Sequence, residues 1–222
     1  MSRIPTIIFP EFYNQISREG LQQCLDLVES IVGFSKGKSL TRVNIDLITK
    51  KLGSRMSGTR LFPGGSSVLF AWSFYFNNIG SIIIKPYYTR EIMSLFIHYF
   101  TLQDFDQYLD DFELEFESMQ MKINIPKVVG VAKIRSMEKD YPVLMTFEAL
   151  GEPIQKNAGI IGITSRIARN LGKKGIIMDP YPANWKFSVK NGHIVIEYID
   201  LLSSNMLKDL KNRITELLNR FE

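Results

Sequence analysis

With one cysteine, Cys24, in 222 residues, the sequence excludes an internal disulfide and any cysteine-built zinc cluster. Its two histidines, His98 and His193, are far apart and offer no ligand spacing for a histidine metal site. No apolar run approaches the ~18 residues of a membrane span. The N-terminal "MSRIPTIIFPEFYNQ" lacks the basic-then-apolar order of a secretory leader. The expectation is a soluble, cytoplasmic chain in a reducing compartment, with no membrane span. Charge of one sign is also scarce: 27 basic against 23 acidic residues give +4, too balanced to advertise a nucleic-acid or membrane surface. Repeats and low-complexity tracts are missing. What is present is an apolar share of 45%, enough for a sizeable core.

Residues 17–33 carry Leu21, Leu25, Val28 and Ile31 at helical spacing, with Ser17 placed as a cap and Gly33 as a stop. A second helix is expected over 41–52, closed by Gly53. From residue 60 the pattern changes to β-branched and aromatic runs broken by Pro-Gly-Gly and Asn-Asn-Ile-Gly turns, which predict two or three antiparallel strands. Residues 89–121 are expected to be helical, because Phe105, Tyr108, Leu109, Phe112 and Phe116 recur at three and four. Strands follow at "KVVGVAKIRS" and "YPVLMTFEAL". Beyond a Gly/Pro-interrupted hinge at 150–157, a helix is predicted over 158–171, strands over 174–178, 185–189 and 193–201, and an amphipathic helix over 204–221.

The stretch "IIMDPYPANWKFS" ends an apolar run on Asp179, stiffens the chain with Pro180 and Pro182, and sets Asn184 five positions on. Such a loop holds a carboxylate and an amide toward one space, although an ordinary turn also uses these residue types. Downstream, "IVIEYIDLL" ends on Asp200, and Asn191-Gly192 is a strong hairpin signal that would fold Asp200 back toward Asn184. Upstream, "GSIIIKPYY" sets Lys85 at the end of an apolar strand, where an ammonium is costly unless it snorkels to solvent or pairs with a phosphate or carboxylate. Gly64, Gly65 and Ser66 form a small-residue turn whose amides could approach phosphate oxygens.

Taken in order, these residues resemble the protein-kinase-like superfamily over residues 58–222. The likeness is to its compact atypical members, among them RIO kinases, lipopolysaccharide kinases and aminoglycoside phosphotransferases. The resemblance implies an α+β, two-lobed protein-kinase-like fold: an N-terminal helical extension over 1–57, a strand-rich N-lobe over 58–150 and a reduced helical C-lobe over 151–222. It implies an ATP-dependent phosphotransferase, assisted by Mg²⁺, acting on a hydroxyl-bearing acceptor. Asp179 would be the base or hydroxyl orienter, Asn184 and Asp200 the metal ligands, and Lys85 the clamp on the phosphates. Glu113, with Glu117 one turn later, would pair with the lysine. The backbone of Thr146 and Phe147 would meet adenine, with Met145 behind it. Gly64, Gly65 and Ser66 would cover the phosphates.

The chain departs from the signalling-kinase pattern at Met178, where a His-Arg pair is usual, and at Asp200-Leu201-Leu202, which replaces Asp-Phe-Gly. An activation segment is not expected. Two other readings compete. One is a pseudokinase or regulatory nucleotide-binding module, suggested by the irregular glycine turn. The other, less favoured, is a nucleic-acid-binding protein using "SLTRVNIDLITKKLGSRMSGTR", where Lys50, Lys51, Arg55 and Arg60 cluster.

Overall fold

The computed structural model describes residues 4–53, 59–109, 114–116, 119–156, 158–204, 214–216 and 219. The chain is α+β and folds as two compact units. The first comprises Met1–Leu95, Val128–Glu148 and Asn219–Glu222, and the second Phe96–Lys127 and Ala149–Leu218. This division differs from the expected one, because the N-terminal segment is part of the first unit and residues 96–127 are part of the second.

The first unit is built on a six-stranded antiparallel sheet. In chain order its strands are β1 (Thr6–Ile8), β2 (Thr59–Pro63), β3 (Phe70–Phe76), β4 (Gly80–Pro86), β7 (Val128–Ser136) and β8 (Lys139–Phe147), arranged β1-β7-β8-β4-β3-β2. Two helices precede β2: α1 (Arg18–Phe34) and α2 (Arg42–Leu52). Both start at a side-chain cap, the first at the expected Ser17 and the second at Thr41. Ser17 Oγ accepts the Gly20 N–H at 3.2 Å, Thr41 Oγ1 accepts the Asn44 N–H at 3.4 Å, and Gly53 closes α2 at φ 49°. Alternation along the strands puts Trp72, Ile84 and Met145 on one face, all fully buried. Gly20 of α1 lies against Phe76 on that side, and α1 buries Leu21, Leu25, Val28 and Val32. Of the dense aromatic run in β3, Trp72 and Phe74 are core and Tyr75 is exposed.

β1 is the element that pattern reading overlooks. Residues 6–8 add a sixth strand against β7, with Ile7 opposite Val131. Gly130 makes room for it, since a Cβ there would stand 2.4 Å from the Ile7 carbonyl oxygen.

The second unit holds a five-stranded sheet in the order β5-β6-β12-β11-β9 and a two-stranded ladder β10-β13. Its elements are α3 (Ile92–Gln103, entered from the first unit), α4 (Phe105–Leu109), β5 (Leu114–Phe116), β6 (Met119–Asn124), β9 (Glu152–Pro153), α5 (Ala158–Lys173), β10 (Ile176–Ile177), β11 (Trp185–Lys190), β12 (His193–Tyr198) and β13 (Ser203–Ser204). The core gathers Ile154, Ile167, Leu171, Ile176, Trp185, Ile196 and Tyr198.

Two expectations are corrected here. The helix expected to run to residue 121 stops at Leu109, and β5 and β6 follow. From Leu114 to Asn124 apolar and polar residues nearly alternate, and this two-residue period prevails because β6 pairs in parallel with β12, Ile123 opposite Ile196. The expected hinge is also structured. Glu152 and Pro153 pair with Phe187 and Lys186 of β11, and Gly151 lies so close that a Cβ would be 2.6 Å from the Phe187 carbonyl oxygen. The C-terminal helix expected over 204–221 falls mostly outside the described residues, of which 214–216 are helical.

Candidate functional site

The most organised polar cluster in the second unit forms around Asp179. Two ladders converge on it. β10 pairs with β13, Ile177 opposite Ser203, while the β11–β12 hairpin turns at Asn191-Gly192 with φ of 50° and 76° and sets Trp185 opposite Tyr198. One step beyond that pair, the Ile199 N–H donates to the Asn184 carbonyl at 2.9 Å, so Asp200 follows directly on a residue bonded to Asn184. The hairpin expected from sequence is present, and it brings Asp200 to the Asp179–Asn184 turn.

Within that turn, Asp179 Oδ2 accepts the Asn184 side-chain N–H at 2.9 Å and Oδ1 accepts the Tyr181 N–H at 2.9 Å. Pro182–Asn184 make one 3-10 turn, which Pro182 starts without losing a needed donor. The frame beneath is a set of side chains that sequence reasoning did not single out. The Asp179 N–H donates to the Tyr198 hydroxyl at 3.0 Å, and that hydroxyl donates to the Leu201 carbonyl at 3.2 Å. Trp185 Nε1 donates to the Asp179 carbonyl at 3.0 Å, and its ring packs on Tyr198 with centroids 4.8 Å apart. Thr164 on α5, fully buried, shares its hydroxyl proton between the Ile161 and Pro180 carbonyls. His98 Nδ1 accepts the Leu202 N–H at 2.9 Å. The backbone around both carboxylates is thus fixed by buried groups, while Asp179 and Asn184 themselves reach the surface. The signal for Trp185 and Tyr198 was available in sequence, as polar-tipped aromatics next to Asn184 and Asp200.

With Asn184 Nδ2 donated to Asp179, its Oδ1 is turned elsewhere, and an amide oxygen and a carboxylate such as that of Asp200 are the donor types that could hold a hard cation. Among the described residues no three carboxylate, thiol or imidazole groups converge, and no described group pairs with Asp200.

A buried carboxylate anchors the segment entering this unit. Glu197 Oε1 accepts from Asn124 Nδ2 and Oε2 from the Gly151 N–H, each at 3.1 Å, while Lys186 Nζ donates to the Ala149 carbonyl at 2.7 Å.

The first unit holds the other predicted residues. Lys85 lies on β4 opposite Leu144 and is half-buried. It is on the third strand of the meander β2-β3-β4, with the glycine turn between the first two, and shares a sheet face with Ser73, Thr146 and Glu148. Glu148 is buried and engaged by both Ser73 Oγ, at 2.6 Å, and the Arg60 guanidinium. The bond from Glu148 N–H to the Ser81 carbonyl sets the ladder's phase. Thr146 therefore bonds to β4, and Phe147 turns its peptide groups toward the side where β7 has ended. Of the two backbone positions expected to meet adenine, Phe147 is the one on an open edge.

The glycine turn is braced from within. The Gly64 N–H donates to the Leu40 carbonyl and the Gly65 N–H to the Val68 carbonyl, both at 3.0 Å. Ser39 Oγ lies within 3.4 Å of the Gly65, Val68 and Leu69 carbonyls, and the Tyr88 hydroxyl donates to the Ser66 carbonyl at 2.7 Å. Of the three residues whose amides were expected to approach phosphate, Gly64 and Gly65 have theirs already donated. Ser66 is exposed at the tip.

Glu113 and Glu117 lie outside the described residues, as does Arg55. Of the other basic residues in the N-terminal cluster, Lys51 sits 5.4 Å over the Phe34 ring and Arg60 pairs with Glu148, while α2 exposes the apolar Val43 and Leu47. No described helix is long and apolar enough to cross a membrane.

No protein-family model matches the chain, and no curated protein compared with it matches.

Proposed function

We propose that the chain is a compact ATP-dependent phosphotransferase acting on a hydroxyl acceptor. The observation that carries this reading is the Asp179–Asn184 hydrogen bond inside a turn fixed by Trp185, Tyr198 and Thr164, with Asp200 delivered beside it by the β11–β12 hairpin. An isolated Asp and Asn in a loop need no such support from three buried side chains.

In this reading Asp179 orients the acceptor hydroxyl and accepts its proton as the phosphoryl group leaves ATP, because a carboxylate held by two donors presents its remaining lone pairs in one direction. Asn184 Oδ1 and Asp200 would hold Mg²⁺, which when bound neutralises charge developing on the transferring phosphoryl group. Lys85 contributes a cation to the phosphates, and the Phe147 backbone offers the adenine edge its hydrogen bonds.

The test is thermal unfolding with and without Mg²⁺-ATP, joined to an assay of ATP turnover with a panel of hydroxyl acceptors. The expected result is a magnesium-dependent stabilisation that Asp200→Asn removes, and turnover that Asp179→Asn removes while the stabilisation persists. Full turnover by folded Asp179→Asn would overturn the role of Asp179. No stabilisation at millimolar nucleotide would overturn the nucleotide site.

The internal bonding of the Gly64 and Gly65 amides favours a second reading, a regulatory nucleotide-binding module without transfer. It predicts the same stabilisation with no turnover for any acceptor.

A further inference from the structure

α2 carries two apolar stripes, and the fold uses only one. Ile45, Ile48 and Leu52 recur at three and four and form the inward stripe, with Ile48 buried and the other two half-buried. Val43 and Leu47, one turn apart, stand on the opposite side of the helix and are 68% and 58% exposed. Phe34, the last residue of α1, extends the outward stripe. It is 53% exposed, and Lys51 Nζ lies 5.4 Å over its ring, which places the end of α1 beside the last turn of α2. Folding gains nothing from grouping three large apolar side chains in water, and such a group marks a surface of contact.

Charge is concentrated at the same corner. Residues 34–53 hold five of the chain's 27 basic residues, Lys36, Lys38, Arg42, Lys50 and Lys51, but only one of its 23 acidic residues, Asp46. The rest of the sequence has 22 of each, so the whole net charge of +4 belongs to this corner. All five cations are exposed, and none joins an ion pair among the described residues. Lys50 and Lys51 follow Leu47 by one turn and flank its stripe on either side, where their stems cover apolar surface while the ammonium groups reach outward. Asp46, four residues before Lys50, shares one of these flanks.

Outward apolar side chains set between lysines are the pattern of a helix that lies in a membrane interface. Against a phosphodiester backbone Val43, Leu47 and Phe34 would stay in water, whereas in the boundary between headgroups and acyl chains they leave it. The eleven residues of α2 are far too few to span a bilayer. We infer that the α1–α2 corner docks on an anionic membrane surface. Val43, Leu47 and Phe34 enter the headgroup–acyl boundary and the five cations meet the lipid headgroups. One short helix with so few apolar residues gives a reversible attachment, to which charge contributes a large share. The inference stands apart from the proposed phosphotransferase activity, whose residues lie elsewhere.

The test is flotation of the full chain with vesicles of phosphatidylcholine, alone or with about one-third phosphatidylserine. The expected result is capture by the anionic vesicles only, weakening as salt is raised. Val43→Asn with Leu47→Asn, and separately Lys50→Gln with Lys51→Gln, should each lower vesicle affinity at least ~10-fold and leave the melting temperature unchanged, since all four positions are exposed. If a paired variant unfolds, Leu47→Trp decides. Its emission should rise and shift to the blue on anionic vesicles, and lipid brominated in the acyl chain should quench it; an unshifted emission overturns the inference. Lack of capture at low salt also overturns it, as does undiminished capture of the asparagine pair, which would leave a contact of charge alone. Tighter binding to duplex DNA or structured RNA than to vesicles, lost in the same variants, overturns it in favour of nucleic acid. Concentration-dependent dimers that Leu47→Asn dissolves, without vesicle capture, overturn it in favour of a second copy.

Discussion

Two adjacent glycines in the turn before β3 have different reasons to be glycine. A Cβ on Gly64 would stand 2.2 Å from the Leu69 carbonyl oxygen and 2.5 Å from that of Val68, whereas one on Gly65 would meet nothing within 4 Å. Gly64→Ala is therefore expected to destabilise the chain by about 1–3 kcal/mol and Gly65→Ala by less than about 0.5 kcal/mol, measured by denaturant unfolding. Equal effects would show that the turn is not packed as described. Cys24 carries the second residue-scale prediction. Burial pushes its thiol from 9.0 up to about 12, so the neutral form is the one the fold favours. The stability this contributes is complete below pH 9, the titration range of the unfolded thiol, and is lost as pH rises toward about 12. At pH 8 the native thiol should react with a disulfide reagent on the order of 100-fold or more slowly than the unfolded chain. Comparable rates would contradict that burial. Asp179, Asn184, Asp200 and Lys85 were all legible in the sequence as residues of a chemical type at a spacing. Of their supports, Trp185 and Tyr198 left a signal as polar-tipped aromatics beside Asn184 and Asp200, whereas Thr164 left none, because a hydrogen bond from a buried side chain to a backbone carbonyl leaves no periodicity to detect.

At the scale of elements, local signals were reliable where chain neighbours decide the conformation. The cap at Ser17 and the Asn191-Gly192 hairpin depend on bonds within a few residues, and each forms where the pattern places it. The β7–β8 hairpin turns instead through Met137 and Glu138, at φ of 52° and 62°, a left-handed pair without glycine or asparagine. Glu138→Gly relieves a crowded Cβ there and should raise stability by about 0.5–1 kcal/mol in denaturant titrations. An unchanged or lowered midpoint would mean the turn is not strained. Residues 114–124 failed local reading for a related reason. Phe105 to Phe116 satisfy a helical repeat and Leu114 to Asn124 a strand repeat, and the overlap is resolved only by pairing with β12, which lies about seventy residues away in sequence. Pairing over such a separation is set by the partner strand, not by the segment itself.

At the scale of the whole molecule, the proposed function draws on Lys85, Asp179, Asn184 and Asp200. In that reading the nucleotide effect should depend on Lys85 as well as on Asp200. At 100 times its dissociation constant, Mg²⁺-ATP adds about 2.7 kcal/mol, and Lys85→Met and Asp200→Asn should each reduce that gain to below about 1 kcal/mol in thermal scans. Retention of the full gain by Lys85→Met would remove the lysine from the nucleotide site. The sequence by itself determined the α+β class, the capped helices, the hairpins and the order of the polar residues, since these follow from short-range sterics, periodicity and composition. Tertiary structure alone decided that β1 completes a six-stranded sheet, that β6 is a strand, that the expected hinge is anchored by Glu197 and Lys186, and that the Gly64 amide is donated to Leu40. Each of these depends on a hydrogen-bond partner distant in the chain, and such a partner exists only once the fold has formed.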